Sequence, residues 1–261
     1  MWKKAVKILL GCNGAALIKG LRLGPVHFLR GSLRSFNACD PLGKDYGEAA
    51  KLLANIPEVT LFSILANRKP SIQLTVQNYE DGILPTEQAV ALLAIAVVEN
   101  PKEVFEIGTF CGHTTKLLAQ NLREALIHTI DLPPDFSPGN DPAQKIPKDD
   151  FHLINQRTVG REFQNEHGSD RIIQHYGDTA DWDFSQVKNA TFFFIDGSHT
   201  YEYCKNDSEK CYRVCRGKGT FFWHDCDLDH VGVLQFIKEW RALGRNIVRI
   251  RGTSLAYWKA V

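Results

Sequence analysis

The stretch Val104-Phe105-Glu106-Ile107-Gly108-Thr109-Phe110-Cys111-Gly112-His113-Thr114-Thr115 limits what this chain can fold into more than any other. A short apolar run ends at an acid and a glycine, a tight turn follows, and a helix begins at once. This is the strand–turn–helix unit of a parallel α/β sheet, and such sheets meet ligands of the nucleotide type at the carboxyl ends of their strands. Gly108 can take turn conformations closed to other residues, and without a Cβ it lets a ligand approach the backbone. Gly112 opens the helix, whose first N–H groups lack partners within it and can face a ligand. Glu106 is placed where an acid can face a cationic or hydroxyl-bearing group. The spacing is Gly-x-x-x-Gly, without the Gly-x-Gly pair that approaches a pyrophosphate.

The rest of the chain continues the alternation. Before the motif, Tyr46 to Ala66 has helical patterning broken by Pro57. Pro85 introduces Thr86 as an expected N-cap, followed by a helix from Glu87 to Glu99 whose Ala89–Val98 segment is apolar on every face and therefore buried. After it come a helix over Thr115–Leu122 and a strand over Ala125–Leu132 containing Asp131, 23 residues past Gly108. An acid about 20 residues on, at the tip of the next strand, is where a ribose diol is bound. Residues 133–168 are polar and rich in Pro, Asp and Asn, as in a lid or binding loop. Arg171–Tyr176 reads as a strand ending in Gly177-Asp178-Thr179. The continuous apolar run Thr191–Ile195 fits a central parallel strand buried on both faces, and it ends in Asp196-Gly197-Ser198-His199. A helix over Tyr201–Cys215, a strand over Thr220–Trp223 ending in His224-Asp225-Cys226, a helix over Val231–Leu243 and a hairpin of Asn246–Ile250 with Ser254–Lys259 complete the chain.

Glu106-Ile107-Gly108-Thr109-Phe110-Cys111-Gly112 resembles the first motif of class I S-adenosylmethionine-dependent methyltransferases. It is most similar to small-molecule O-methyltransferases of the catechol, caffeoyl-CoA and macrolide-sugar type, and with the later strand ends the resemblance covers roughly residues 80–261. It implies an α/β fold, a doubly wound, seven-stranded, mostly parallel Rossmann-like sheet whose last strand is antiparallel, here with an N-terminal helical extension. The expected division is 1–79 for that extension and 80–261 for the methyltransferase domain. The cofactor implied is S-adenosylmethionine, with Glu106, Gly108, Thr109, Gly112, Thr114, Asp131, Asp178, Thr179 and Asp196 as candidate contacts. In these families an Asp at each of two neighbouring strand ends holds a divalent metal, which points to Asp196 and Asp225. Two converging carboxylates are costly unless a cation or proton lies between them. At the third ligand the sequence departs from both patterns: Cys226 stands where the catechol-like enzymes have Asn, and His224 where the sugar-modifying ones have an acid. His224 is thus the third candidate ligand, with Mg²⁺ or Mn²⁺ as the expected ion. His199, three residues past Asp196, stands where relatives carry a Lys or His base, and an imidazole can take a hydroxyl proton near neutrality. Asp196 and His199 are the candidate catalytic residues.

Composition sets the outer limits. A hydrophobic share of 44% and a charged share of 23% are ordinary for a soluble globular chain, and a net charge of +1 argues against nucleic acid as a partner. The charge is uneven, since residues 1–39 hold seven Lys/Arg and no acid. That head reads as a helical extension packed on the domain or on a second subunit of a homo-oligomer, with a peripheral contact to anionic membrane as the livelier alternative. Seven scattered cysteines without a CxxC pair suggest a reduced, cytoplasmic setting and no structural zinc. Cys204, Cys211 and Cys215, at helical spacing, read as core.

The small-molecule hydroxyl reading has competitors. A nicotinamide dehydrogenase is disfavoured by the missing Gly-x-Gly, and a base-modifying N-methyltransferase by the lack of an Asn/Asp-Pro-Pro-aromatic turn. A cofactor-binding or membrane-peripheral scaffold without turnover has no need of Asp196, His199 and Asp225 together.

Overall fold

The computed structural model describes residues 43–75, 82–136, 151–166 and 168–261. The basic head before Asp40 lies outside them, as does the expected division between Tyr79 and Glu80. Residues Leu52–Val261 form one compact unit. Helix α1 (Gly43–Ala54) leads into it, and Pro57 separates that helix from strand β1 (Glu58–Val59) and the short helix α2 (Leu61–Leu65). Helix α3 (Thr86–Glu99), strand β2 (Glu103–Ile107), helix α4 (His113–Asn121) and strand β3 (Leu126–Asp131) follow. Helix α5 (Phe151–Gln156), β4 (Ile172–Tyr176), β5 (Phe192–Ile195), α6 (Tyr201–Val214), β6 (Gly219–Trp223), α7 (Val231–Ala242), β7 (Val248–Ile250) and β8 (Ala256–Ala260) complete the order.

The strands form one sheet in the order β1-β7-β8-β6-β5-β2-β3-β4, with β8 antiparallel to both its neighbours and every other pairing parallel. This is the doubly wound arrangement implied by the resemblance, with one correction: among the described residues the sheet has eight strands rather than seven. The addition is the two-residue β1. The N–H groups of Arg249 and Arg251 donate to the Pro57 and Val59 carbonyls, each at 2.8 Å, and Glu58 pairs with both guanidinium groups at 3.0 and 3.2 Å. A two-residue strand is too short to show a period in the sequence.

Alternation along β5 explains the two layers. Phe192 and Phe194 join the cluster formed with Leu92, Leu93 and Ile95 of α3 and Leu117 and Leu118 of α4. Phe193 stacks on Phe221 at 4.8 Å, and Phe221 in turn meets Trp223, Trp240 and Trp258. Burial on both faces removes any polar alternation from such a strand, leaving a continuous apolar run. Helix α3 is buried along most of its length, as its composition requires. Thr86 is not its N-cap: the helix begins there, and the Pro85 carbonyl accepts the N–H groups of Gln88 and Ala89, each at 2.9 Å. Proline has no N–H to leave unsatisfied at a helix start. Cys204, Cys211 and Cys215 are free thiols buried in or beside α6. Among the described residues, no helix is long and apolar enough to cross a membrane.

Candidate functional site

The parallel neighbours β3, β2, β5 and β6 end along one edge. Ile107 is in register with Ile130 and Ile195, and Ile195 with Trp223. The residues just beyond continue the ladder: Gly108 N–H donates to the Ile130 carbonyl (2.9 Å), Asp196 N–H to Ile107 (2.9 Å) and His224 N–H to Ile195 (3.1 Å). This places Asp131, Gly108, Asp196, His224 and Asp225 along a single rim. Gly108 has φ +100°, and a Cβ there would lie 2.0 Å from the Asp196 carbonyl oxygen. Glycine at 108 therefore lets two strand ends touch. At Gly112, φ +85°, the space a Cβ would fill is taken by the Phe163 ring. Both positions need glycine for contacts within the chain as well as for the turn.

On the β2–β3 side the polar groups turn inward. Glu106 is fully buried and accepts hydrogen bonds from the hydroxyls of Thr115 and, at 2.7 Å, Thr129. The Thr109 hydroxyl joins this network, 2.7 Å from that of Thr129, and accepts from Gln174 Nε2 at 3.0 Å. Burial pushes the Glu106 carboxyl up to about 8, against the lowering effect of the two threonines. Asp131 Oδ2 accepts the Phe110 N–H (2.7 Å); Oδ1 accepts the Leu132 N–H (2.8 Å) and lies 3.1 Å from Arg157 Nε. Burial raises the Asp131 carboxyl although Arg157 pulls the other way. A carboxylate offers about four lone-pair sites, so Asp131 can still accept from a diol. Helix α4 begins at Gly112 without a side-chain cap, and Thr114 lies half-buried in its first turn. Of the expected lid, residues 137–150 and 167 lie outside the described part. Its later portion is strapped to the motif, with Gly160 N–H donating to the Phe110 carbonyl (3.0 Å) and Glu162 N–H to Cys111 (2.9 Å).

On the β5–β6 side the ionisable groups turn toward one another. His224 Nδ1 lies 2.8 Å from Asp196 Oδ1 and 3.1 Å from Asp225 Oδ2, while His199 Nε2 lies 2.7 Å from Asp225 Oδ2. Burial alone would lower His224, but Asp196 and Asp225 overcome it and hold the imidazole well above its ordinary range. Burial would raise Asp225, yet His224, His199 and His230 together hold it well below the usual carboxylate range. The predicted demand for positive charge between the two acids is thus met by the His224 proton. A divalent ion can meet the same demand, because Asp196, His224 and Asp225 each offer a ligand atom within 4.8 Å of the others. Two carboxylates and one imidazole suit Mn²⁺ and tolerate Mg²⁺. Cys226 is buried, and its N–H donates to the Ser254 carbonyl at 2.8 Å.

Asp178 and Thr179 occupy the turn after β4. Asp178 Oδ1 accepts the Ala180 N–H (2.8 Å) and Oδ2 the Tyr203 hydroxyl (2.8 Å); the Thr179 carbonyl accepts from Asn206 and Lys210 of α6. Two residues at the rim escaped the sequence reading. His230 Nδ1 is 2.9 Å from Asp227 Oδ1 and 3.6 Å from Asp225 Oδ1, and its ring packs against His199 at 4.5 Å between centroids. The one available signal was Gly232 in the first turn of α7. Asp225 itself has φ +56°, in the left-handed region that non-glycine residues adopt at a cost of about 1–3 kcal/mol.

Residues 105–226 match the model of a family described as "Methyltransferase domain". No curated protein matches the chain. Among solved structures, it is similar to the O-methyltransferase TomG of Streptomyces achromogenes, in complex with S-adenosylmethionine (14% identity, covering 69% of this chain and 83% of that one, TM-score 0.48). It is also similar to an O-methyltransferase of Bacillus cereus in complex with S-adenosylhomocysteine (14%, 84% and 91%, TM-score 0.46). A third is the S-adenosylhomocysteine-bound methyltransferase PaMTH1 of Podospora anserina (14%, 85% and 97%, TM-score 0.47).

Proposed function

We propose that this protein transfers the methyl group of S-adenosylmethionine to a hydroxyl of a small-molecule acceptor, with a divalent metal held by Asp196, His224 and Asp225. The observation that carries the reading is the convergence of these three residues and His199 on the strand ends beside Gly108. Such a charged group has no purpose in a domain that only binds its cofactor. The cofactor, when bound, supplies a methyl group on a sulfonium, and the metal, when bound, lowers the pKa of a coordinated hydroxyl as a Lewis acid.

The chain's own part is binding, orientation and proton transfer. Asp131 accepts the ribose hydroxyls with the lone pairs not used by Phe110 and Leu132. Asp178 and Thr179 form the turn that borders the adenine, braced from α6. Because a carboxylate only accepts, a neutral His199 carries its proton on Nε2 toward Asp225, and Nδ1 is the atom that takes the acceptor's hydroxyl proton. Asp225 thereby orients the ring and balances the charge it gains. Transfer leaves neutral S-adenosylhomocysteine, a methyl ether and the proton on His199.

The test is incubation with methyl-labelled S-adenosylmethionine and a panel of phenolic, catecholic and sugar alcohols. Label should appear as an O-methyl ether in at least one class. Label found only on nitrogen or sulfur acceptors would replace the hydroxyl reading.

A further inference from the structure

The reading above leaves His230 and Asp227 unused, although both stand at the same rim. We propose that His199, Asp225 and His230 form a second cation site, for a borderline divalent ion such as Co²⁺ or Zn²⁺, joined through Asp225 to the Asp196–His224–Asp225 group. Each of the three offers a ligand atom within 4.8 Å of the other two. The Asp225 carboxylate divides between the imidazoles: Oδ2 lies 2.7 and 3.1 Å from His199 Nε2 and His224 Nδ1, and Oδ1 lies 3.6 Å from His230 Nδ1. Two imidazoles and one carboxylate make a nitrogen-rich donor set, which favours borderline ions, whereas Mg²⁺ prefers oxygens.

The group is built by the packing of two separate segments. His199 lies in the turn between β5 and α6, and His230 immediately precedes α7. They meet because a Cβ on Gly232 would lie 2.4 Å from the His199 carbonyl oxygen and 2.5 Å from Tyr201 N, so only glycine allows α7 to seat against that turn. The two rings then pack at 4.5 Å, tilted by 46°. Asp227 Oδ1 restrains His230 through Nδ1 at 2.9 Å and accepts the Asp229 N–H at 3.0 Å. An outer carboxylate on Nδ1 fixes the orientation of an imidazole that ligates through its other nitrogen, here Nε2. The site goes beyond the proposed reaction and shares only Asp225 with its metal group. It also bears on that reaction: an ion on His199 occupies the ring that must accept a proton, so excess borderline metal inhibits transfer.

The experiment is Co²⁺ titration of the full chain in millimolar Mg²⁺, followed by visible absorption and by equilibrium dialysis. Wild-type protein should bind Co²⁺ despite the Mg²⁺, with ligand-field bands of a nitrogen-containing site. His230→Ala and His230→Gln, checked for folding by circular dichroism, should each weaken Co²⁺ binding by at least about tenfold, the lower bound for losing even an outer partner. Asp196→Asn should retain it. Unchanged Co²⁺ affinity in both folded His230 variants would overturn the proposal, as would its loss in Asp196→Asn alone. S-adenosylhomocysteine binding and Mg²⁺-supported turnover, followed in the same variants, report separately on the proposed reaction.

Discussion

At the ends of β2 and β3, Glu106, Thr109 and Asp131 turn toward the chain itself, whereas at the ends of β5 and β6, Asp196, His199, His224 and Asp225 turn toward one another. The first group resembles a joint. Glu106 is enclosed by two threonine hydroxyls and Asp131 takes two backbone N–H groups, so these acids shape the loop whether or not a ligand is present. The second group is a concentration of charge in which the two acids hold the His224 imidazole well above its ordinary range and His224, His199 and His230 hold Asp225 low. Two acids at neighbouring strand tips thus have opposite purposes, set by what reaches them: backbone donors in one case, imidazoles in the other.

The sharpest way to break this contrast is at His199. A general base contributes about 10²–10⁴-fold in rate. His199→Asn should therefore lower kcat by that order while leaving S-adenosylhomocysteine affinity unchanged, as steady-state kinetics and calorimetry will show. Wild-type kcat in His199→Asn would reduce His199 to a turn residue. Removing the metal should separate the two regions as well. Chelator should abolish turnover, and Mg²⁺ or Mn²⁺ should restore it, while cofactor binding on the β2–β3 side persists. Full activity in metal-free protein would give Asp196 and Asp225 another purpose.

Glu106 sharpens the contrast from the other side, through stability. Its carboxyl rises from 4.5 to about 8 in the folded chain, chiefly by burial. Between those values the folded state holds a proton that the unfolded state has lost, so stability falls as pH rises through that window. Glu106→Gln cannot ionise and should flatten this dependence. Urea unfolding at pH 5 and pH 8 should show the wild type losing on the order of a few kcal/mol more than the variant. Equal pH dependence in the two proteins would mean that Glu106 is charged in the fold.

Much of this division was legible in the sequence, but unevenly. The apolar run of β5 and the acids that end the strands declare their positions, because periodicity and chain order set both. Asp196, His199, His224 and Asp225 could be placed at one edge for that reason. What the neighbours do could not be read. Glu106 looked equally suited to a ligand's hydroxyl and to Thr129, which is 23 residues away and comes beside it only through strand pairing. The glycines were legible as turns, but Gly108 is also required by the Asp196 carbonyl, a contact between distant segments. For His230 the one local signal was the nearby Gly232, since its place beside His199 depends on the docking of α7. Strand β1 was missed because two residues held by Arg249 and Arg251 carry no pattern.

The central claim is that the β2–β3 end binds the cofactor while the β5–β6 end performs the chemistry. Calorimetric titration of S-adenosylhomocysteine into the full chain and into Asp131→Ala, with chelator present throughout, tests it most directly. The wild type should bind without metal, and the substitution should weaken binding by about 1.5–3 kcal/mol, the scale of hydrogen bonds to a charged group. No binding by the folded wild type at millimolar ligand, or equal affinity in Asp131→Ala, would contradict it.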